Sequence, residues 1–75
     1  MYVLILLETD EFGFNEMHMV GKYHSHEEAS DAMLSMHEEA YAAWDEVRES
    51  YVSEDVAELA QEGMPTARKW QIFEV

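Results

Sequence analysis

The sequence predicts an α+β domain whose elements run β-β-α-α-β: a three-stranded, mainly antiparallel sheet packed against one long amphipathic helix and one short helix. Three observations predict it. An unbroken aliphatic run occupies residues 2–8, a capping box at Ser25 opens an apolar stripe at helical spacing, and a β-branched, aromatic segment follows Ala67. Seventy-five residues make one domain, 1–75.

Residues 2–8 are aliphatic without polar alternation, the pattern of a strand covered on both faces and central in its sheet. The run stops at Glu8, lacks a basic flank and is too short to span a bilayer, so the chain is expected to be soluble and cytoplasmic. Turn formers around Gly13 then lead into alternation over residues 16–23, which places Met17, Met19 and Tyr23 on one face and His18 and Lys22 on the other. This is a hairpin.

Ser25-His26-Glu27-Glu28 is a capping box, so a helix begins at His26. Ala29, Met33, Met36, Ala40, Ala43, Trp44, Val47 and Tyr51 share an arc of about 100°, which extends the helix to about Ser50 and about 35 Å. Ser53 before Glu54 and Asp55 reads as a second N-cap, and Gly63 with Pro65 as a stop, bounding a short helix over residues 54–62. The final strand takes residues 68–75.

The junction Gly21-Lys22-Tyr23-His24-Ser25-His26-Glu27-Glu28-Ala29 resembles a Gly-x-Tyr/Phe-x-Ser/Thr-x-Glu-x-x-Ala exit from hairpin to helix, found in small uncharacterised bacterial and phage proteins that open and close on strands. The resemblance implies a fold and no activity.

Charge is the most informative property of the composition. Seventeen acids face four Lys and Arg, a net charge of −13. Residues 27–62 hold twelve acids against Arg48 alone. A field of this sign attracts cations and basic surfaces and repels nucleic acid and anionic lipid. The acidic candidates for partner binding are Glu27, Glu28, Asp31, Glu38, Glu39, Asp45, Glu46, Glu49, Glu54, Asp55 and Glu58. On the expected helices Glu27/Asp31, Asp45/Glu49, Glu54/Glu58 and Glu58/Glu62 are like-charge i,i+4 pairs, each costing roughly 0.2–0.5 kcal/mol, where a surface serving solubility alone would intersperse Lys. Along one long helix the acids from Glu27 to Glu49 would recur about every 4 Å, near the 3.4 Å charge spacing of a DNA strand.

Other candidates are fewer. Phe12 and Phe14 flank the turn glycine, and Met17 and Met19 lie on the hairpin, all four as possible anchors in a partner's pocket. Met33, Met36, His37, Trp44, Val47 and Tyr51 form a possible dimer seam along the long helix, with His37 making association pH-sensitive. His24 and His26 are weak metal candidates, since one intervening residue aligns them only if extended. No cysteine, nucleophile-base arrangement or glycine-rich phosphate loop is present, so no catalytic residue and no cofactor is expected.

The expected function is a non-enzymatic acidic binding or inhibitor protein engaging a basic, nucleic-acid-binding surface of a partner protein. In size, charge and lack of cysteine the chain resembles, in style, the acidic inhibitors that phages and mobile elements direct against CRISPR, restriction or transcription machinery. The alternatives are a homo-oligomeric structural or regulatory module whose acids only keep it soluble, and a His-based metal-binding protein.

Overall fold

A computed structural model describes residues 1–75 as five strands and one helix: β1 (Tyr2–Thr9), β2 (Asn15–Tyr23), α1 (His26–Ala43), β3 (Val47–Val52), β4 (Val56–Gln61) and β5 (Ala67–Glu74). The strands form one antiparallel sheet in the order β2-β1-β5-β4-β3. The expected three-stranded sheet with two helices is thus corrected to a five-stranded sheet with one.

The helix begins where its cap predicts, with Ser25 Oγ accepting from the Glu28 amide at 3.2 Å. It ends at Ala43 rather than near Ser50, because Trp44 is extended (φ −87°, ψ 135°) while its N–H closes the last turn on the Ala40 carbonyl. Topology supplies the reason. Strands β2 and β3 are opposite edges of the sheet, so α1 must carry the chain across its full width, roughly 19 Å for four strand spacings. Eighteen residues give about 27 Å, enough for a diagonal crossing, and seven more would overshoot the edge. Val47 and Tyr51 therefore lie on β3 and not on a helical stripe.

Residues 54–62 are also not a helix. Ser53 Oγ accepts from the Val56 amide at 3.2 Å, and the Ser53 N–H donates to the Val56 carbonyl at 2.8 Å, closing a hairpin turn between β3 and β4. A nine-residue helix is marginal alone. As β4 the same residues take ladder bonds from β3 on one side and β5 on the other.

The β1–β2 hairpin forms around Gly13, whose φ of 86° is left-handed, with Asp10 Oδ1 accepting from the Phe12 and Phe14 amides. A register shift opposite Leu4 and Ile5 inserts Val20 between Met19 and Gly21. That bulge reverses the side-chain alternation beyond it, so Met17 and Met19 share a face with Lys22, while His18, Gly21 and Tyr23 lie on the other. The expected grouping of Met17 and Met19 with Tyr23 is corrected accordingly.

The core lies between α1 and one sheet face: Leu4 and Leu6 of β1, Ala57 and Leu59 of β4, and Trp70 and Ile72 of β5 meet Ala29, Met33 and Ala40. Only ten apolar side chains are buried, four of them alanines. The other sheet face carries no helix.

Candidate functional site: an acidic surface and an open sheet face

All eleven acidic candidates are exposed, but they do not follow one rod. Glu27, Glu28, Asp31, Glu38 and Glu39 lie on α1. Asp45 and Glu46 follow in the connection to β3, Glu49 lies on β3, Glu54 and Asp55 in the β3–β4 turn, and Glu58 on β4. The helical i,i+4 repulsions of Asp45/Glu49, Glu54/Glu58 and Glu58/Glu62 therefore do not exist, and the DNA-like spacing applies at most to about 18 Å of α1, from Glu27 to Glu39.

What remains is an acidic surface without neutralisation. Only Glu8, Glu16, Asp55 and Glu58 come within ion-pairing distance of a basic or imidazole nitrogen. The other thirteen of the seventeen carboxylates do not. Helix α1 contains no Lys or Arg.

The expected dimer seam does not exist as a stripe. Met33 is wholly buried and His37 is 8% exposed, so both belong to the core under α1. Met36, Trp44 and Val47 pack against that core partly buried, and Tyr51 points away from it, on the open face of the sheet. His37 Nε2 lies 3.2 Å from the Glu58 carbonyl oxygen and 3.2 Å from Ser50 Oγ. A carbonyl only accepts, so the ring proton sits on Nε2.

His24 is exposed in the β2–α1 connection, whereas His26 Nε2 is 2.6 Å from Asp55 Oδ1, and its ring meets Tyr2 edge-on. No three His, Asp or Glu side chains converge in a metal-holding group. Phe12 and Phe14 are 76% and 71% exposed at the hairpin tip.

The feature that sequence reasoning missed is the uncovered sheet face. Cross-strand register puts Val3, Ile5 and Leu7 of β1, Met17 and Met19 of β2, Phe73 of β5, Val56 of β4 and Tyr51 of β3 on it together. By register its charged residues are Lys22, Lys69, Glu49 and Glu58, two of each sign, with Lys69 Nζ 3.7 Å from Glu58, and Arg48 at the β3 irregularity also borders it. Toward the Thr9, Ala67 and Ala60 end this face sinks into a hollow of about 260 Å³ that runs from β1 to β3, bordered by Leu7, Lys69, Glu58, Tyr51, Glu49 and Arg48. The expectation that residues 2–8 form a strand covered on both faces is corrected with it, because the single helix covers only the Leu4 and Leu6 side, and Val3, Ile5 and Leu7 lie on the side without one.

On the helix-covered face, the Glu74 carboxylate opposite Tyr2 on β5 accepts a hydrogen bond from the neutral phenol and repels the phenolate, holding the pKa above the usual tyrosine value. No helix is long and apolar enough to cross a membrane. No protein-family model, curated protein or solved structure matches the chain.

Proposed function

We propose that this chain is a non-enzymatic binding protein, acting in the cytoplasm, whose acidic surface engages a basic surface of a partner protein of the kind that otherwise holds nucleic acid. The observation carrying the reading is the set of exposed carboxylates on α1 with no base on the same helix, within a chain of net charge −13. Such a surface raises association rates with a cationic groove and disfavours nucleic acid itself. The acids of the β3–β4 turn and of the α1–β3 connection widen the field beyond the helix, so the complementary surface is a basic patch rather than a narrow channel. Phe12 and Phe14, projecting from the hairpin tip, supply apolar anchors that slow dissociation.

The test is capture of cell lysate on the immobilised protein at 50 mM and 0.5 M salt, beside a variant carrying Glu27→Gln, Glu28→Gln, Asp31→Asn, Glu38→Gln and Glu39→Gln. Retention of a basic protein at low salt, its release at high salt or by duplex oligonucleotide, and its loss from the variant are the expected results. Equal capture by the variant removes the reading.

A further inference from the structure

We propose that the open face of the sheet is the interface of a two-fold homodimer, in which Met17 of each copy packs against Tyr51 of the other at the edge of the hollow, with Met19 beside it. The inference stands independently of the acidic-surface reading.

Four observations carry it. First, β1 is aliphatic on both faces, yet α1 covers only one, leaving Val3, Ile5 and Leu7 only partly buried on the other. A soluble two-layer domain with water on its second face would alternate polar residues there. Second, the monomer core is small for 75 residues, and chains of this size commonly draw further burial from association.

Third, area and charge select the occupant. Five strands about 4.8 Å apart and six to eight residues long give a face of roughly 600 Å² per copy before side-chain relief, near the ~800 Å² per partner of a standard stable interface. The face carries equal numbers of Lys and Glu, whereas the molecule as a whole carries −13. It is the side on which a second copy of so acidic a chain meets the least repulsion, although the axis brings Lys69 beside its own copy, each held 3.7 Å from Glu58.

Fourth, the shape is self-complementary. Met17, Leu7, Lys69, Glu58 and Tyr51 form one row across the sheet from β2 to β3. A two-fold axis parallel to the strands and over β5, the middle strand, exchanges the outer strands and preserves the row, so Met17 of one copy meets Tyr51 of the other. Met17 and Met19, 69% and 59% exposed, stand at the β2 end, and the hollow runs from β1 to β3, where it ends beside Tyr51. Protrusion meets recess twice in the isologous contact, and methionine is the side chain best able to fill an irregular recess. Sheets stacked this way cross at about −30° because each is twisted.

Sedimentation equilibrium from 1 to 500 µM, at 50 mM and 0.5 M NaCl, tests the proposal. The expected result is a dimer that tightens at the higher salt, because screening removes repulsion between two chains of −13. This is opposite in sign to the salt effect expected for the basic partner. Met17→Glu/Met19→Glu, at positions exposed in the monomer, should weaken the dimer at least tenfold and keep its far-UV circular dichroism, while Leu34→Glu on exposed α1 leaves the dimer intact. A wild-type monomer at 500 µM in 0.5 M NaCl overturns the proposal. So does a dimer indifferent to Met17→Glu/Met19→Glu, and so does a different protein whose binding that variant abolishes while the wild type stays monomeric.

Discussion

His37 Nε2 lies 3.2 Å from Ser50 Oγ, joining the helix to an edge strand that it otherwise scarcely touches. The same nitrogen donates to the Glu58 carbonyl of β4, and the ring stands edge-on to the Trp70 indole at 5.8 Å and 70°. One imidazole thereby ties α1, β3, β4 and β5 together at the only buried polar residue.

His37→Ala opens a cavity and leaves the Glu58 carbonyl without that donor, so it should cost about 2–4 kcal/mol. Ser50→Ala removes one bond at an exposed position and should cost under about 1 kcal/mol. Urea unfolding of both variants checks the ranking. Equal effects would mean that His37 does not organise the β3 side of the core.

Gly13 has φ 86° with nothing within 4 Å of where a Cβ would stand, so the effect of Gly13→Ala is purely conformational. The expected cost is about 1–2 kcal/mol. Gly21→Ala has no such φ, and its Cβ would come 3.1 Å from the Tyr23 hydroxyl, the far end of a side chain able to shift. It should be the milder change. Thermal melts of the two variants compare them directly.

Tyr2 should ionise above the usual tyrosine range, because the Glu74 carboxylate across the β1–β5 pair favours the neutral phenol. Its folded pKa exceeds its unfolded value, so the stabilisation is fully present below pH 10 and is lost as pH rises through the folded pKa. Phenolate absorbance in a spectrophotometric titration, with Glu74→Gln lowering one tyrosine's midpoint, reads this out. An unchanged titration in Glu74→Gln would exclude Glu74 as the cause.

The last turn of α1 has no basic residue, and Glu38 and Glu39 lie near the negative end of the helix dipole. Glu39→Lys should raise stability by about 0.5–1 kcal/mol at low salt, with a smaller gain at 0.5 M NaCl. Denaturation curves at the two salt concentrations test it, and an equal gain at both would attribute the effect to something other than charge.

Much of the architecture was legible along the chain. The first strand, the hairpin around Gly13, the start of α1 and the closing strand each arise from local chemistry: a β-branched or aliphatic run, a glycine free to take positive φ, a serine hydroxyl facing an amide three residues on. Ser25 and Ser53 show where such reading stops. Each hydroxyl accepts from the backbone amide of residue i+3 at 3.2 Å, yet the first bond opens an eighteen-residue helix and the second closes a hairpin turn. The bond is local, but the element it opens onto depends on partners distant in sequence: the residues after Ser53 lie between β3 and β5, which satisfy their amides and carbonyls more cooperatively than a short helix would.

The surfaces divide in the same way. The magnitude of the acidic charge belongs to the sequence, since no fold can bury so many carboxylates. Its arrangement came only with topology, which ended α1 at Ala43 because the sheet is no wider, moving Glu49 and Glu58 onto strands. The open apolar face likewise depends on register, because Met17, Leu7 and Tyr51 come to share one face only when the paired strands and a bulge at Val20 fix which side each residue faces. Periodicity measures what one segment must bury. Only the paired strands decide against what it is buried, and which side is left for another molecule.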